Sequence, residues 1–158
     1  MTDAPLLALA DSDATELAGA KLATAIAAAE LPPAQFHVHL LGDLGAGKTT
    51  LSRGFLRGWG HDGRVPSPTY TLVEPYESLP RPVFHLDLYR LQDGAELEFL
   101  GLQDLPYNAV LLIEWPQRAS AHLPAPDLVL ELSLSGEGRA LLIKSQSAAG
   151  EAVIPLLA

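Results

Sequence analysis

Apolar residues recur along this chain in two rhythms, and the switches between them outline alternating helices and strands. Between about residues 13 and 30 they keep helical spacing in an alanine-rich stretch, with Leu17, Leu22 and Ile26 expected toward a core. Asp13 or Ser12 can cap that helix, and Pro32-Pro33 ends it. Residues 1–12 read as a short lead-in. Phe36-His37-Val38-His39-Leu40-Leu41 reads as a short buried strand. From Thr50 to Trp59 helical spacing returns, with Leu51, Phe55, Leu56 and Trp59 as its apolar positions. His61 to Thr69 reads as a loop whose backbone Pro66 and Pro68 constrain.

Two strands follow, Tyr70 to Tyr76 and Val83 to Tyr89, across a turn-like Ser78 to Pro82; they suit an antiparallel hairpin. Pro75 cannot donate to a ladder, which points to an edge or a strand end. Ala95 to Leu100 suits a short helix. Ala-Val-Leu-Leu-Ile-Glu over 109–114 is a continuous apolar run, as in parallel strands buried on both faces. Gln117 to His122 suits a helical turn. Leu128 to Leu134 and Arg139 to Ser145 form a second hairpin around Ser135-Gly136-Glu137-Gly138. Ala148 to Ala158 reads as a weak strand or a loose tail. Neither repeats nor a linker interrupt the chain. The expectation is one α/β domain over residues 1–158 with a mixed parallel and antiparallel sheet.

Composition narrows the function. With 158 residues and 48% hydrophobic content, the chain can bury a real core. It has no cysteine, which excludes disulfides and thiolate metal sites. The start, Met1-Thr2-Asp3-Ala4-Pro5, lacks the basic opening of a secretory signal, and no apolar run approaches the ~18 residues of a membrane span. A cytoplasmic protein without membrane attachment is the expectation. Ten basic and 19 acidic residues give a net charge of −9. Direct nucleic-acid binding wants a basic surface, so any RNA would have to be held by a partner.

The chemistry is concentrated between the first strand and the second helix. Gly42-Asp43-Leu44-Gly45-Ala46-Gly47-Lys48-Thr49 fits G-x-x-x-x-G-K-[ST], the P-loop pattern. A nucleoside triphosphate brings several negative charges into a small volume. Inward-pointing backbone N–H groups and the positive end of the following helix answer them. Side chains would block that approach, which accounts for Gly42, Gly45 and Gly47. Lys48 can reach the terminal phosphates, and the Thr49 hydroxyl can ligate Mg²⁺. Residues 42–50, including Thr50, are thus the expected binding set for ATP or ADP with Mg²⁺. The implied fold is a P-loop NTPase-like three-layer α/β domain.

Hydrolysis also needs acids near the metal, and in open sheets these stand at the carboxyl ends of strands. Asp87 in His85-Leu86-Asp87 and Glu114 in Leu111-Leu112-Ile113-Glu114 end apolar runs in this way. Lys48, Asp87 and Glu114 are therefore the candidate catalytic residues, and Thr49, Asp87 and Glu114 the candidate metal ligands. Ser67-Pro68-Thr69 is either a rigid turn or a switch that senses the terminal phosphate. Tyr89-Arg90 either anchors structure or brings a cation to the phosphates, and Trp115 either stacks on a mobile loop or packs. His85 reads as a structural histidine rather than a catalytic one. The five histidines have no metal-ligand spacing.

The P-loop with Thr50-Leu51, then Ser67-Pro68-Thr69-Tyr70, His85-Leu86-Asp87-Leu88-Tyr89-Arg90-Leu91 and Ile113-Glu114-Trp115-Pro116, occur in that order. Taken together they resemble the TsaE (formerly YjeE) family of bacterial P-loop ATPases, over about residues 12–145. Thr15, Gly19 and Leu22-Ala23 also resemble the family's opening helix. The resemblance implies a part in the threonylcarbamoyl modification of an adenosine in tRNAs that read codons beginning with A. In that system a TsaD–TsaB core transfers the group, and the TsaE component hydrolyses ATP to support or reset turnover, reaching tRNA only through the complex. It further implies that Thr49, Asp87 and Glu114 surround Mg²⁺, that Thr69 belongs to a switch, that Trp115 neighbours the nucleotide and that Thr15 lies near the adenine. Gln117 stands where the family more often has an acid. Ala18 replaces a larger apolar residue, and Pro106 follows Gln103-Asp104-Leu105 where an acidic-aromatic run is more usual. A small-molecule kinase is a rival reading, but the arginines form no lid-like cluster. A nucleotide-dependent adaptor that never turns over is another, and the intact acids speak against it.

Overall fold

The computed structural model describes residues 4–157. Seven strands form one sheet in the order β1-β7-β6-β2-β5-β4-β3. They are β1 (Leu6–Leu9), β2 (Phe36–Leu41), β3 (Val73–Tyr76), β4 (Val83–Asp87), β5 (Val110–Glu114), β6 (Leu128–Ser135) and β7 (Gly138–Ser145). The centre is parallel: β2 lies between β6 and β5, and β4 lies on the far side of β5. Antiparallel partners finish both sides, β7 and β1 at one and β3 at the other. The expected mixed α/β sheet is therefore present, with both expected hairpins, and Pro75 falls on an edge strand.

Strand β5 is apolar on both faces up to Glu114, and both faces are covered, whereas β2 alternates Val38 and Leu40 with His37 and His39. Val38, Leu40, Leu112 and Leu130 pack toward the helices α1 (Ser12–Ala28) and α2 (Lys48–Gly58). Phe84, Leu86, Leu111 and Ile113 face a second core, under 3-10 helices at Gly94–Leu100, Leu102–Asp104 and Pro116–His122. The third layer is thus built of short tight turns rather than α-helices.

The helices α1 and α2 approach backbone to backbone. A Cβ placed on Gly54 would lie 1.9 Å from the Glu16 carbonyl oxygen, and one on Gly19 would lie 2.1 Å from that of Leu51. This contact fixes where α2, and with it the loop before it, stands over the sheet.

Several local expectations are corrected. Asp11, not Ser12 or Asp13, caps α1: its backbone is extended and its carboxylate accepts from the Ala14 N–H at 2.9 Å. Leu17 is 55% exposed, while Leu22 and Ile26 are buried. The position one turn before Leu22 is Ala18, so the buried stripe runs through small residues instead. Residues 70–72 do not join β3; they form a turn that ends with Leu72 in a left-handed conformation (φ 68°). The lead-in contains β1, which pairs with β7. The expected weak strand or loose tail is a helix, α3 (Ala148–Val153), followed by a 3-10 turn to Leu157. Ser147 caps it at Gly150 N (3.0 Å), and Val153 and Ile154 are buried in the larger core. Asp127 anchors this end by accepting from the Ser147 hydroxyl (2.7 Å) and the His37 N–H (2.8 Å). The parts of the lead-in and tail at residues 1–3 and 158 lie outside the described residues. No helix among the described residues is long and apolar enough to cross a membrane.

Candidate functional site

The loop of residues 42–47 leaves the carboxyl end of central β2 and turns into α2. Its three glycines carry positive φ: 153° at Gly42, 80° at Gly45 and 107° at Gly47. The last is the decisive one, because Gly47 occupies the N-cap of α2 in a left-handed conformation that side-chain-bearing residues adopt at a cost. This lets the chain reverse into the helix with its first N–H groups facing the cleft.

Lys48 folds back over the loop, and its ammonium donates to the Gly42 carbonyl. The same Nζ lies 3.8 Å from the centre of the Trp115 ring. Burial pushes the Lys48 ammonium below its ordinary range, and the carboxylates of Glu114, Asp87 and Asp43 oppose that shift. Asp43 also shapes the loop, its carbonyl accepting from Ala46 N at 3.0 Å.

Register brings the acids to the same cleft. Asp87 and Glu114 are paired residues at the ends of parallel β4 and β5, and Glu114 is also paired with Leu40 of β2. Both acids are nearly buried. Thr49 Oγ1 donates toward Glu114, at 3.2 Å from Oε1 and 3.1 Å from Oε2. Asp87 accepts from the Tyr89 N–H (3.0 Å) through one oxygen and from the Thr69 hydroxyl (3.0 Å) through the other. Thr69 in turn bonds Ser67 at 2.8 Å. Asp87 N also donates to the Leu72 carbonyl (3.0 Å), so the 67–72 loop is tied to this acid twice.

Trp115 has left-handed backbone (φ 56°, ψ 47°), a second non-glycine residue held in this region. Such strain collects at sites where the surroundings over-determine the backbone. Its ring packs on Tyr89 at 4.9 Å, and Arg118 lies over the Tyr89 ring. Arg90 stacks on exposed Tyr70 at 4.1 Å and so does not enter the cleft.

Two clefts share the loop as a common wall. One, of about 250 Å³, is lined by residues 44–50 with Thr69, Asp87, Glu114 and Trp115. The other, of about 190 Å³, is lined by Gly45, Ala46, Gly47 and Thr50 with Asp11, Ser12, Thr15, Glu137, Gly138 and Arg139. Thr15 stands in this second cleft, but its hydroxyl turns back to the Asp11 carbonyl at 3.3 Å.

The donor set fits the groups expected from the sequence. One hydroxyl and two carboxylates are hard oxygen ligands of the kind Mg²⁺ takes together with phosphate oxygens. Among the described residues no three His, Asp or Glu side chains converge to hold an ion by themselves.

Sequence reasoning missed four contributors. His85, read as structural, places Nε2 2.5 Å from Glu114 Oε2. The two-residue step from His85 to Asp87 was the available signal, since alternate strand residues share a face. Arg139, at the start of β7, donates to the carbonyls of Ala46 (Nε, 3.1 Å) and Gly45. It holds the outer side of the loop from far along the chain, and no local pattern marks it. Asp11 and Glu137 reach the second cleft in the same unmarked way.

Comparison with known proteins agrees with this geometry. Residues 9–141 match the family profile described as "Threonylcarbamoyl adenosine biosynthesis protein TsaE". The chain is 45% identical over 118 residues to the tRNA threonylcarbamoyladenosine biosynthesis protein TsaE of Haemophilus influenzae, covering 74% of this chain and 75% of that one. It is 40% identical over 116 residues to the protein of the same name from Synechocystis, with coverage of 70% and 69%. Among solved structures it resembles Bacillus subtilis YdiB with a TM-score of 0.79 at 26% identity, over 99% of this chain and 95% of that one. A P-loop between parallel strands, acids at the ends of β4 and β5, and a profile match that spans all of them lead to one conclusion: this chain belongs to the TsaE family.

Proposed function

We propose that this chain binds ATP with Mg²⁺ and hydrolyses it slowly, as the ATP-using component of tRNA threonylcarbamoyladenosine synthesis in the cytoplasm, beside a TsaD–TsaB core. The observation that carries the reading is the convergence of Lys48, Thr49, Asp87 and Glu114 on one cleft against the glycine loop. The loop's N–H groups and the start of α2 bind the phosphates. Lys48 exchanges the neutral Gly42 carbonyl for a charged phosphate oxygen, a stronger acceptor for an ammonium. Thr49, Asp87 and Glu114 hold the metal, which when bound spreads the phosphate charge. The second cleft takes the nucleoside, beside Thr15 and Asp11. Thr69, bonded to Asp87, is placed to exchange that bond for one to the terminal phosphate or the metal shell. Net charge of −9 favours contact with tRNA through the partners rather than directly.

The test is ATP hydrolysis with Mg²⁺, for the chain alone and with purified TsaD–TsaB. Slow turnover that rises sharply with the pair supports the reading. Bound ATP that is never turned over under either condition replaces it with the adaptor.

A further inference from the structure

The geometry points to His85 as a positioning residue: its Nε2–H holds one oxygen of Glu114 so that the other oxygen, with Thr49, is presented to a divalent cation. The inference rests on the reading that this cleft takes a nucleotide with Mg²⁺.

Sheet register sets it up. His85 and Asp87 point to one face of β4, and Leu112 and Glu114 to the same face of β5. His85 is paired with Leu112, which makes Glu114 its diagonal neighbour, within reach of two long side chains. The bond formed is short, 2.5 Å from Nε2 to Oε2. His85 is fully buried, and its Nδ1 has no hydrogen-bond partner among the described residues. A buried ring nitrogen without a partner is unfavourable, so a leucine would serve better if the position were only packing. What histidine adds here over an apolar residue is the single N–H that faces Glu114.

Its effect on Glu114 follows from the partners of each oxygen. Thr49 Oγ1 sits nearly equidistant from both oxygens and cannot by itself choose between them. His85 bonds Oε2 alone. Oε1 is then left with Thr49 as its protein donor among the described residues. A carboxylate fixed in this way meets an ion without first losing rotational freedom, and removing such outer partners typically weakens metal binding by 10- to 100-fold.

The experiment titrates Mn²⁺ into the full chain saturated with a non-hydrolysable ATP analogue and follows free Mn²⁺ by electron paramagnetic resonance. His85→Leu is expected to weaken Mn²⁺ binding by roughly 10-fold, with nucleotide affinity in EDTA unchanged. His85→Gln, which keeps an N–H near the Nε2 position, is expected to recover most of the loss. Should His85→Leu fail to fold, His85→Phe carries the same expectation. Wild-type Mn²⁺ affinity in the apolar variant overturns the inference while leaving the proposed function standing, and so does a loss that His85→Gln does not repair. Wild-type protein that binds neither nucleotide nor Mn²⁺ overturns both.

Discussion

Gly54→Ala sets two effects of opposite sign against each other at the α1–α2 contact. In a free helix, alanine is better than glycine by about 1 kcal/mol. Here the new Cβ would lie 1.9 Å from the Glu16 carbonyl oxygen, roughly 1.5 Å short of ordinary contact, with the Glu16 Cα and carbonyl carbon at 2.6 Å. Every one of these neighbours is backbone, so no side chain can swing aside and a helix must move. Overpacking of this kind costs about 1–3 kcal/mol, and a clash with backbone belongs at the upper end. The net is a loss of about 2 kcal/mol, or a fall of about 4–8 °C in melting temperature for a chain of this size. Because α1 carries Thr15 and α2 begins at Lys48, the same displacement should widen the second cleft and, if that cleft takes the nucleoside as proposed, weaken its binding. Thermal denaturation followed by circular dichroism, with and without ATP, measures both effects. A melting temperature equal to or above that of the parent would mean that helix propensity wins and that the tight approach is not there.

Other predictions follow from the site and the core. Lys48→Ala should abolish tight ATP binding, and undiminished affinity by calorimetry would remove the loop from that role. Asp87→Ala or Glu114→Ala should each lower Mg²⁺-dependent hydrolysis by ~10²-fold or more, read in a steady-state phosphate-release assay; normal turnover in both would take the acids out of the site. Burial, helped by neighbouring His37 and opposed by Asp127, pushes His39 from 6.5 down to about 4. Its neutral form is the one the fold accepts, so this contribution is complete above pH 6.5 and is lost progressively as pH falls from 6.5 toward 4. Discounted for the half-buried position, the loss is about 1–2 kcal/mol. Urea midpoints at pH 7 and pH 5 should therefore move less in His39→Leu than in the parent, and equal movement would contradict the assignment.

What could be read from the sequence was whatever lies close together along the chain. The P-loop is one continuous strand, turn and helix, so its pattern carries its own structural context. Asp87 and Glu114 were reachable through a general rule about strand ends, and register then supplied their pairing. Arg139 and Asp11 were not reachable, because they meet the loop only after the sheet has brought distant segments together. The helix at Ala148–Val153 was missed for a related reason. Six residues rich in alanine and glycine have no usable periodicity, and what stabilises them is the Ser147 cap, its bond to Asp127 and the burial of Val153. Leu72 and Trp115 show the limit of propensity: neither residue type favours left-handed backbone, and both adopt it beside the cleft.

The arrangement of the two clefts also bears on how the protein comes apart. Their walls draw on α1 near the amino terminus, on β4 and β5 in the middle, and on the β6–β7 hairpin near the carboxyl terminus. A molecule seated across both cannot remain bound while any one of these segments peels away. Ligand concentration therefore acts on global rather than local unfolding, adding about 2.7 kcal/mol when the ligand stands at 100 times its dissociation constant. If that molecule is ATP, as proposed above, the chain should resist proteolysis better with ATP than without it, with no change in its covalent structure.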